Sequence, residues 1–349
     1  MTILITGSNG LIGSTAAHYF LKQNHSVIGL DNNMRKKLFG LKGDTSFQCQ
    51  ELQKNSSYTH YDFDIRKWDQ ISSLFIKHDI DAVVHTAAQP SHDKAQQIPM
   101  LDFEINATGT LNLLEATRKY QPNATFIFTS TNKVYGDNPN KIPLKEKGDK
   151  YIYADHRLGI DESCSIDQNL HSLFGASKTA ADIYVQEYGR YFGLKTSCLR
   201  LGCVTGSMHA GVKLHGFLSF LIKSLVHNNQ YEIIGYKGKQ VRDQIHADDV
   251  VTAINEIIKN PNQGEVFNLG GGSKNAASIK ELIEIISKKI NKKPIISYKK
   301  NNRKGDHIVY ITDFSKFSKH YPNWKLSKNL DNIIDEIINF EFDINKHNQ

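Results

Sequence analysis

The sequence predicts an α/β protein built on a doubly wound parallel sheet, followed by a smaller C-terminal α+β lobe. Short β-branched runs alternate with helical stretches from the start of the chain, and a glycine-spaced turn follows the first run directly. After about Leu201 this alternation loosens into mixed strands, loops and helices. We therefore expect a first domain over residues 1–200 and a second over residues 201–349, interleaved at an approximate boundary.

Five runs predict the buried strands, in chain order TILIT (2–6), SVIGL (26–30), AVVHT (82–86), TFIFT (125–129) and TSCLR (196–200). Helical patterns lie between them, for example LLEATRKY after Asn106 and a long stretch after Lys178. Strands that alternate with helices form βαβ units, and the strands of such units run parallel.

Composition excludes several classes of protein. Hydrophobic content of 39% and charged content of 23% are typical of a globular protein, and no apolar run approaches the ~20 residues that span a bilayer. MTILITGSNG lacks a basic segment before its apolar residues, so we interpret it as a strand and not a signal peptide. Four cysteines stand at no metal-ligand spacing, which predicts reduced thiols, a cytoplasmic location and no metal site: Cys49, Cys164, Cys198 and Cys203.

The net charge of +7 and pI near 9.0 raise the question of a nucleic-acid partner. The lysines, however, are spread as pairs over polar helix faces, without interleaved aromatic residues. We interpret them as a solvated surface, and expect neither nucleic acid nor membrane as a partner.

The glycine-spaced turn GSNGLIG lies between the first strand and the first helix. Glycines allow a tight turn and close backbone approach, and the N-terminus of a helix attracts a pyrophosphate. Asp31 ends the second strand, 18 residues past Gly13, where a carboxylate accepts hydrogen bonds from an adenosine ribose and repels a 2′-phosphate. This Rossmann-type arrangement predicts NAD over NADP, with Arg35 nearby as a weak counter-indication. The predicted cofactor residues here are Gly7, Asn9, Gly10, Leu11, Ile12, Gly13, Asp31, Asn32 and Arg35.

Further segments of the chain carry short motifs, namely YDFDI, HTAA, EINATGT, TSTNKVYG, VRDQIH and RKGD. In these motifs and in their order, from residue 2 to about 330, the chain resembles the extended short-chain dehydrogenase/reductases that modify nucleotide sugars. The resemblance implies cofactor contacts from Asp64, Ile65, Ala87, Ala88, Asn106 and Lys178, an active-site hydroxyl on Thr131, and substrate contacts from Gln89, Asn132, Lys133, Arg242, Arg303 and Asp306. It also implies NAD as cofactor and a nucleoside-diphosphate sugar as partner.

Within this family, DFEINATGTLNLLEATRKY, STNKVYGD and GKQVRDQIHADD resemble the CDP-tyvelose and CDP-paratose 2-epimerases. Such an epimerase oxidises a sugar carbon with bound NAD⁺ and reduces it again from the other face. Related 4,6-dehydratases carry an Asp-Glu pair after the active-site Thr, whereas this chain has Asn132 and Lys133. An amide and an ammonium cannot supply the acid and base that water elimination needs, which argues against a dehydratase.

Phe174 departs from the family, because the position four residues before Lys178 is usually a tyrosine that moves a proton. Three interpretations stay open. Catalysis uses a substitute, with Lys178 through water, Lys133 or Cys203 as candidates; a Tyr→Phe change has been introduced to trap a substrate complex; or the protein binds NAD and a nucleotide sugar without turnover, as a sensor or scaffold. A second departure is the absence in RLGCVTG of the family's asparagine near the sugar.

The helix from Gly175 to about Phe192 has a regular apolar face made of Ala181, Val185, Tyr188 and Phe192. Spacings of four, three and four place these side chains together. They fit core packing, or, as in the family, a homodimer in which this helix and the one near residues 103–119 pair with their copies.

Overall fold

The computed structural model describes residues 1–207, 216–300 and 305–347. Its first elements are β1 (Thr2–Thr6), α1 (Leu11–Lys22), β2 (Ser26–Leu30), α2 (Met34–Phe39), α3 (Ser46–Gln53), β3 (Tyr58–Tyr61), α4 (Trp68–Lys77), β4 (Ala82–His85), α5 (His92–Gln97), α6 (Pro99–Phe103), a π-helical turn (Glu104–Thr108), α7 (Gly109–Tyr120) and β5 (Thr125–Thr131).

The chain continues through β6 (Leu144–Lys147), β7 (Lys150–Tyr153), α8 (Ser172–Phe192), β8 (Lys195–Leu201), β9 (Cys203–Thr205), α9 (Phe217–Val226), β10 (Tyr231–Ile234), β11 (Val241–His246), α10 (Ala247–Lys259), β12 (Glu265–Leu269), β13 (Ala276–Ser278), α11 (Ile279–Ile290), β14 (Ile296–Lys299), β15 (Val309–Tyr310), α12 (Ser315–His320) and α13 (Leu330–His347). No helix in the described ranges has both the length and the apolar character that crossing a membrane requires.

The chain divides into two compact, interleaved units. The first comprises residues 1–134, 172–201 and 250–267, and the second comprises residues 135–171, 202–249 and 268–349. The second unit therefore begins well before the expected boundary near residue 200, with the segment between β5 and α8.

The first unit is built on a seven-stranded sheet in the order β12-β8-β5-β4-β1-β2-β3. The pairs from β8 through β3 are all parallel, so the doubly wound parallel sheet that the sequence predicts is confirmed. All five predicted strands are present, and β3 and β12 join them. The strand order changes direction beside β1, and in open α/β sheets ligands bind outside the carboxyl ends of the strands at such a point.

Buried aliphatic and aromatic side chains of the sheet and its helices form the core of this unit. Ala181, Val185 and Tyr188 of α8 belong to it, with 1%, 0% and 8% of their surfaces exposed, whereas Phe192 is 50% exposed. Core packing is therefore confirmed for the first three residues of the α8 face and not for the fourth.

The second unit contains the smaller α+β lobe that the sequence predicts. One sheet joins β13, β11 and β15, with β9 also paired to β11; β10 and β14 form a parallel pair, and β6 and β7 an antiparallel hairpin. Apolar faces of α9, α11 and α13 share one core, which includes Leu221, Leu282 and Ile334, all fully buried.

Candidate active site

The glycine turn after β1 is held in a shape that only glycine permits. Gly7 has a φ of +69°, donates its N–H to the Leu30 carbonyl at 2.7 Å and accepts from the Gly10 N–H at 2.9 Å. A Cβ on Gly13 would lie 2.1 Å from the Gly7 carbonyl oxygen. Leu11 and Ile12 therefore begin α1 directly against the turn, and no described side chain caps the helix at Gly10. An open helix N-terminus behind a glycine turn fits the pyrophosphate of a dinucleotide.

Asp31 connects this turn to the end of β2. Its two carboxylate oxygens accept the backbone N–H groups of Asn9 at 3.0 Å and Asn33 at 2.7 Å. Burial raises the pKa of the carboxyl group, and these two hydrogen bonds partly offset that effect. A carboxylate offers about four acceptor positions, so Asp31 can hold the turn and still accept the hydroxyls of a ribose.

Asn32 and Arg35 lie in the loop and short helix that follow. The Asn32 side-chain oxygen accepts the Met34 N–H at 3.1 Å, which turns the chain into α2. The Arg35 guanidinium lies 5.3 Å from the centre of the Phe39 ring. Both predicted cofactor residues therefore lie in the segment that follows Asp31. Their contacts with Met34 and Phe39 are made within that segment.

Asp64 and Ile65 follow β3, and each has a clear local contact. The Asp64 carboxylate accepts both Nε and Nη2 of Arg66, at distances of 3.0 and 2.6 Å. Burial raises its pKa, but the hydrogen bonds and charge of Arg66 outweigh burial and leave the pKa below its usual value. Ile65 packs closely on Gly109: a Cβ added to Gly109 would lie 2.5 Å from Cδ1 of Ile65.

Ala87 and Ala88 form the turn after β4, beneath the glycine turn. A Cβ on Gly7 would lie 2.7 Å from the Ala87 nitrogen, and Ala87 donates its N–H to the Thr6 hydroxyl at 3.3 Å. The carboxyl ends of β1 and β4 are neighbours in the sheet. The structure therefore brings the predicted residues of both turns together at the carboxyl end of the sheet.

A buried network fastens the segment after this turn to α8. Asp102, 1% exposed, accepts hydrogen bonds from Gln89 Nε2 at 2.7 Å, Asn106 Nδ2 at 3.1 Å and Ser177 Oγ at 2.6 Å. Asn106 in turn accepts the Gln89 backbone N–H at 2.9 Å and donates to Ser177 at 3.0 Å. Asn106 is therefore a positioning residue in this structure.

Gln89 is fully buried, and its side chain is used inside this network. Its Nε2 donates to Ser91 O as well as to Asp102, and its Oε1 accepts the Ser91 N–H at 2.7 Å. In this structure the Gln89 side chain positions its neighbours, and its contact with a substrate stays a prediction.

Lys178 is buried in α8, and its ammonium group lies against β5 near the carboxyl end of that strand. Its Nζ donates to the Thr129 carbonyl at 2.8 Å and lies 3.9 Å from the centre of the Phe128 ring. Burial lowers the pKa of Lys178 from 10.5 to about 7, against the opposing effect of nearby Asp182. A lysine in this state exchanges protons near neutral pH.

Asp182, one turn after Lys178, belongs to a buried ion pair. Its carboxylate accepts Nη2 of Arg200 at 2.8 Å and Nε at 3.1 Å, and it also accepts the Ser130 hydroxyl. The two charged side chains are 1% and 6% exposed. The pair joins α8 to β8 and β5 directly below the ends of the strands.

Thr131 is the last residue of β5, and Asn132 and Lys133 begin the short 3₁₀ turn that follows it. Thr131 Oγ1 accepts the Lys133 backbone N–H at 3.2 Å, and Asn132 is buried. Phe174 lies on α8 one turn before Lys178 and is 7% exposed. Its ring centre lies 5.3 Å from that of His92, with 46° between the planes. No ionisable group occupies position 174, but an imidazole contacts it.

In the second unit, Arg242 and Asp306 form an ion pair. Arg242 Nη2 donates to Asp306 Oδ1 at 2.7 Å and to the His307 carbonyl, and Nη1 donates to Val241 O at 2.8 Å. The side chains are 10% and 28% exposed. Two predicted substrate residues of this unit are thus in contact, and Arg303, which is also predicted, lies outside the described residues.

Several residues of this region are not among the sequence predictions, namely His92, Asp102, Ser177, Asp182 and Arg200. Helical spacing could have indicated two of them, because Asp102 stands four residues before Asn106 and Asp182 four after Lys178. Nothing in the sequence could have indicated that His92 reaches Phe174, since 82 residues separate them in the chain.

A parallel sheet with its switch point at β1, a glycine turn into α1 and an acidic residue ending β2 define a dinucleotide-binding protein of the Rossmann class. The family model of the NAD dependent epimerase/dehydratase family matches residues 3–270. The chain belongs to this family, and NAD is its cofactor.

Two curated relatives match nearly the whole chain. A CDP-paratose 2-epimerase of Salmonella typhi is 34% identical, over 91% of this chain and 93% of its own. A UDP-glucuronate 4-epimerase of Thermodesulfobacterium geofontis is 30% identical, over 92% and 90%. Among solved structures, UDP-glucose 4-epimerase of Thermotoga maritima with UDP-glucose superposes with a TM-score of 0.80 at 26% identity, covering 100% of both chains. The chain is thus similar to nucleotide-sugar epimerases over its full length.

Proposed function

We propose that the protein epimerises a nucleoside-diphosphate sugar of the CDP-paratose or CDP-tyvelose kind, at a ring carbon that is transiently oxidised. The observation that carries the proposal is the 34% identity to a CDP-paratose 2-epimerase over nearly the full length of both chains. It is supported by the positions of Lys178, Thr131 and Asp31 at the carboxyl end of the parallel sheet. Bound NAD⁺ would accept two electrons from the sugar carbon as a hydride and return them to the opposite face.

The residues of the first unit would hold the cofactor and the reacting hydroxyl. The turn from Gly7 to Gly13 would receive the pyrophosphate, and Asp31 the adenosine ribose. Lys178 would bind the nicotinamide ribose, and Thr131 would hydrogen-bond the sugar hydroxyl. Ile65 and Asp64 would border the adenine.

The second unit would bind the nucleoside diphosphate. Guanidinium groups recognise phosphate oxygens through paired hydrogen bonds, and Arg242 is held in place by Asp306 and by the carbonyl groups of His307 and Val241. A ligand phosphate would compete with Asp306 for Nη2. Asp306 and Arg303 complete the set of substrate residues that we propose.

Calorimetric titration with CDP, UDP, GDP and dTDP tests this assignment. We expect CDP to bind most tightly, and Arg242→Met to weaken every diphosphate, because it removes a charged donor to the phosphates. Lys150→Met is a matched control, since Lys150 is a cation of the same unit that pairs with Glu281. If none of the four nucleotides binds more tightly than inorganic phosphate, the substrate assignment is wrong.

Phe174 favours a second candidate function, in which the protein binds NAD and a nucleotide sugar without turnover. Loss of a positioned acid–base group typically lowers a rate by ~10²–10⁴-fold. Exchange of label at the sugar ring, followed with NAD bound, separates the two functions, because a sensor would bind both ligands and exchange nothing. A dehydratase is disfavoured, since Asn132 and Lys133 offer no carboxyl group after Thr131.

We also propose that the protein is a homodimer formed through α8 and the α6–α7 region. Large apolar side chains of both segments are exposed to solvent, namely Met100 (76%), Phe103 (52%), Tyr184 (51%), Tyr191 (83%) and Phe192 (50%). Exposed large apolar groups on neighbouring helices are typical of an association surface. Sedimentation of the wild type and of a Tyr184→Glu variant tests the proposal; a monomeric wild type would refute it.

A further inference from the structure

Phe174 leaves the proposed reaction without its usual proton-transfer group, and one imidazole lies against the ring that replaces it. His92 begins α5, and its ring centre lies 5.3 Å from that of Phe174 at an interplanar angle of 46°. A tyrosine hydroxyl would project from the edge of this ring by a single C–O bond. The imidazole therefore lies against the ring that takes the place of the tyrosine.

The position of His92 is fixed by its own chain segment. Ser91 caps α5 by accepting the Lys94 N–H at 3.3 Å, so His92 is the first helical residue. Ser91 is also bonded to Gln89 in both directions, through Gln89 Oε1 at 2.7 Å and Nε2 at 2.9 Å. These hydrogen bonds fix the backbone from which the His92 side chain projects.

The same segment is tied to the helix that carries Phe174. Gln89 donates to Asp102 at 2.7 Å, and Asp102 accepts Ser177 Oγ at 2.6 Å. Ser177 stands three residues after Phe174 and also approaches its carbonyl oxygen at 3.1 Å. These buried hydrogen bonds fix the start of α5 relative to the start of α8. The contact between His92 and Phe174 therefore follows from the packing of these two helices.

Lys178 is less suited to replace the tyrosine. Its ammonium is buried 2.8 Å from the Thr129 carbonyl and covers the Phe128 ring. Both groups can exchange a proton near neutral pH, but the Lys178 ammonium is already bonded to the Thr129 carbonyl, and an imidazole is the side chain most often used for this purpose.

We propose that His92 is the catalytic acid–base group that replaces the missing tyrosine, an inference that rests on the proposed epimerisation. In the forward step, the sugar C–H bond breaks as the carbon gives a hydride to NAD⁺, and the hydroxyl oxygen gives its proton to an imidazole nitrogen. The C–O bond becomes a carbonyl. In the return step the carbon regains a hydride on its other face, and the imidazolium returns the proton to oxygen.

The test combines His92→Gln, Phe174→Tyr and the double variant, with label exchange at the ring of a CDP-hexose as readout. We expect His92→Gln to slow exchange by ~10²–10⁴-fold. Phe174→Tyr should restore exchange in the His92→Gln background, because a phenol then takes the proton. His25→Gln serves as the matched control, since it removes a histidine of the same unit away from Phe174.

A second readout is independent of turnover. In the NMR spectrum of the NAD-loaded protein, the imidazole signal that His92→Gln removes should shift when the CDP-hexose is added. Exchange that survives His92→Gln within about threefold, or an unshifted signal, would overturn the inference alone. A loss that neither Phe174→Tyr nor added imidazole restores would also overturn it, because His92 would then act through packing. Absence of exchange in the wild type with both ligands bound would refute the proposed function, and this inference with it.

Discussion

Replacing Gly13 by alanine should damage the fold of the first unit, whereas the same change at Gly10 should not. A Cβ at Gly13 would lie 2.1 Å from the Gly7 oxygen, 2.8 Å from the Gly7 carbonyl carbon and 2.9 Å from Ser8 Cα. A Cβ at Gly10 would meet only the Gly7 oxygen, at 3.3 Å. The two glycines stand three residues apart in one turn and so make a matched pair.

The size of the effect follows from these distances. Ordinary contacts of a Cβ begin near 3.4 Å, so the methyl group that Gly13→Ala introduces would be 1.3 Å too close to the Gly7 oxygen. All three neighbours are backbone atoms, which cannot rotate away. Overpacking costs about 1–3 kcal/mol when side chains can adjust, and we expect a value at or above the upper end, about 3 kcal/mol. Gly10→Ala should cost less than about 1 kcal/mol, because a few tenths of an ångström relieve its contact.

Urea unfolding and NAD binding should separate the two variants. Gly13→Ala should lower the free energy of unfolding by about 3 kcal/mol and weaken NAD as well, since the turn must open. Gly10→Ala should unfold like the wild type but bind NAD more weakly, because a turn of this kind needs glycine where its backbone approaches the pyrophosphate closely. Equal stability of Gly13→Ala and the wild type would refute the role of this contact in holding α1 against β1.

Three further predictions concern the cofactor and the reaction. Nucleotide extracted from the purified protein should be NAD by mass spectrometry, and Asp31→Ala should relax the preference against NADP; recovery of mainly NADP from the wild type would contradict it. Phe174→Tyr should speed ring exchange of a CDP-hexose by ~10–10³-fold, whereas a slower variant would show a site adapted to Phe. In nucleotide-free protein, the free energy of unfolding should rise from pH 7 toward pH 10.5 more steeply in the wild type than in Lys178→Met. Over this range the unfolded chain retains the Lys178 proton that the folded chain has released, because burial lowers the pKa to about 7; equal slopes would contradict this.

The fold of the first unit could be predicted because its signals are local. Each parallel strand buried on both faces is an apolar run, and the glycine turn with Asp31 carries its spacing in consecutive residues. The edge strand β3, YTHY, lacks an apolar run, and only its pairing with β2 identifies it as a strand.

The candidate site could be predicted only in part, because hydrogen-bond partners far apart in sequence leave no pattern. Gln89 fits the family's substrate position, yet its side chain turns inward to Asp102 and Ser91. The pairing of Arg242 with Asp306 likewise joins residues 64 positions apart.

By itself, the sequence determined the class of fold, the cofactor turn and the absence of a tyrosine before Lys178. These depend on residue type and short spacing, which a chain carries before it folds. Only the tertiary structure decided that Lys178 is buried against Phe128, that Asp182 pairs with Arg200 and that His92 lies on Phe174. Burial and long-range contact set the pKa of a side chain and its neighbours, and both arise only when distant segments pack together.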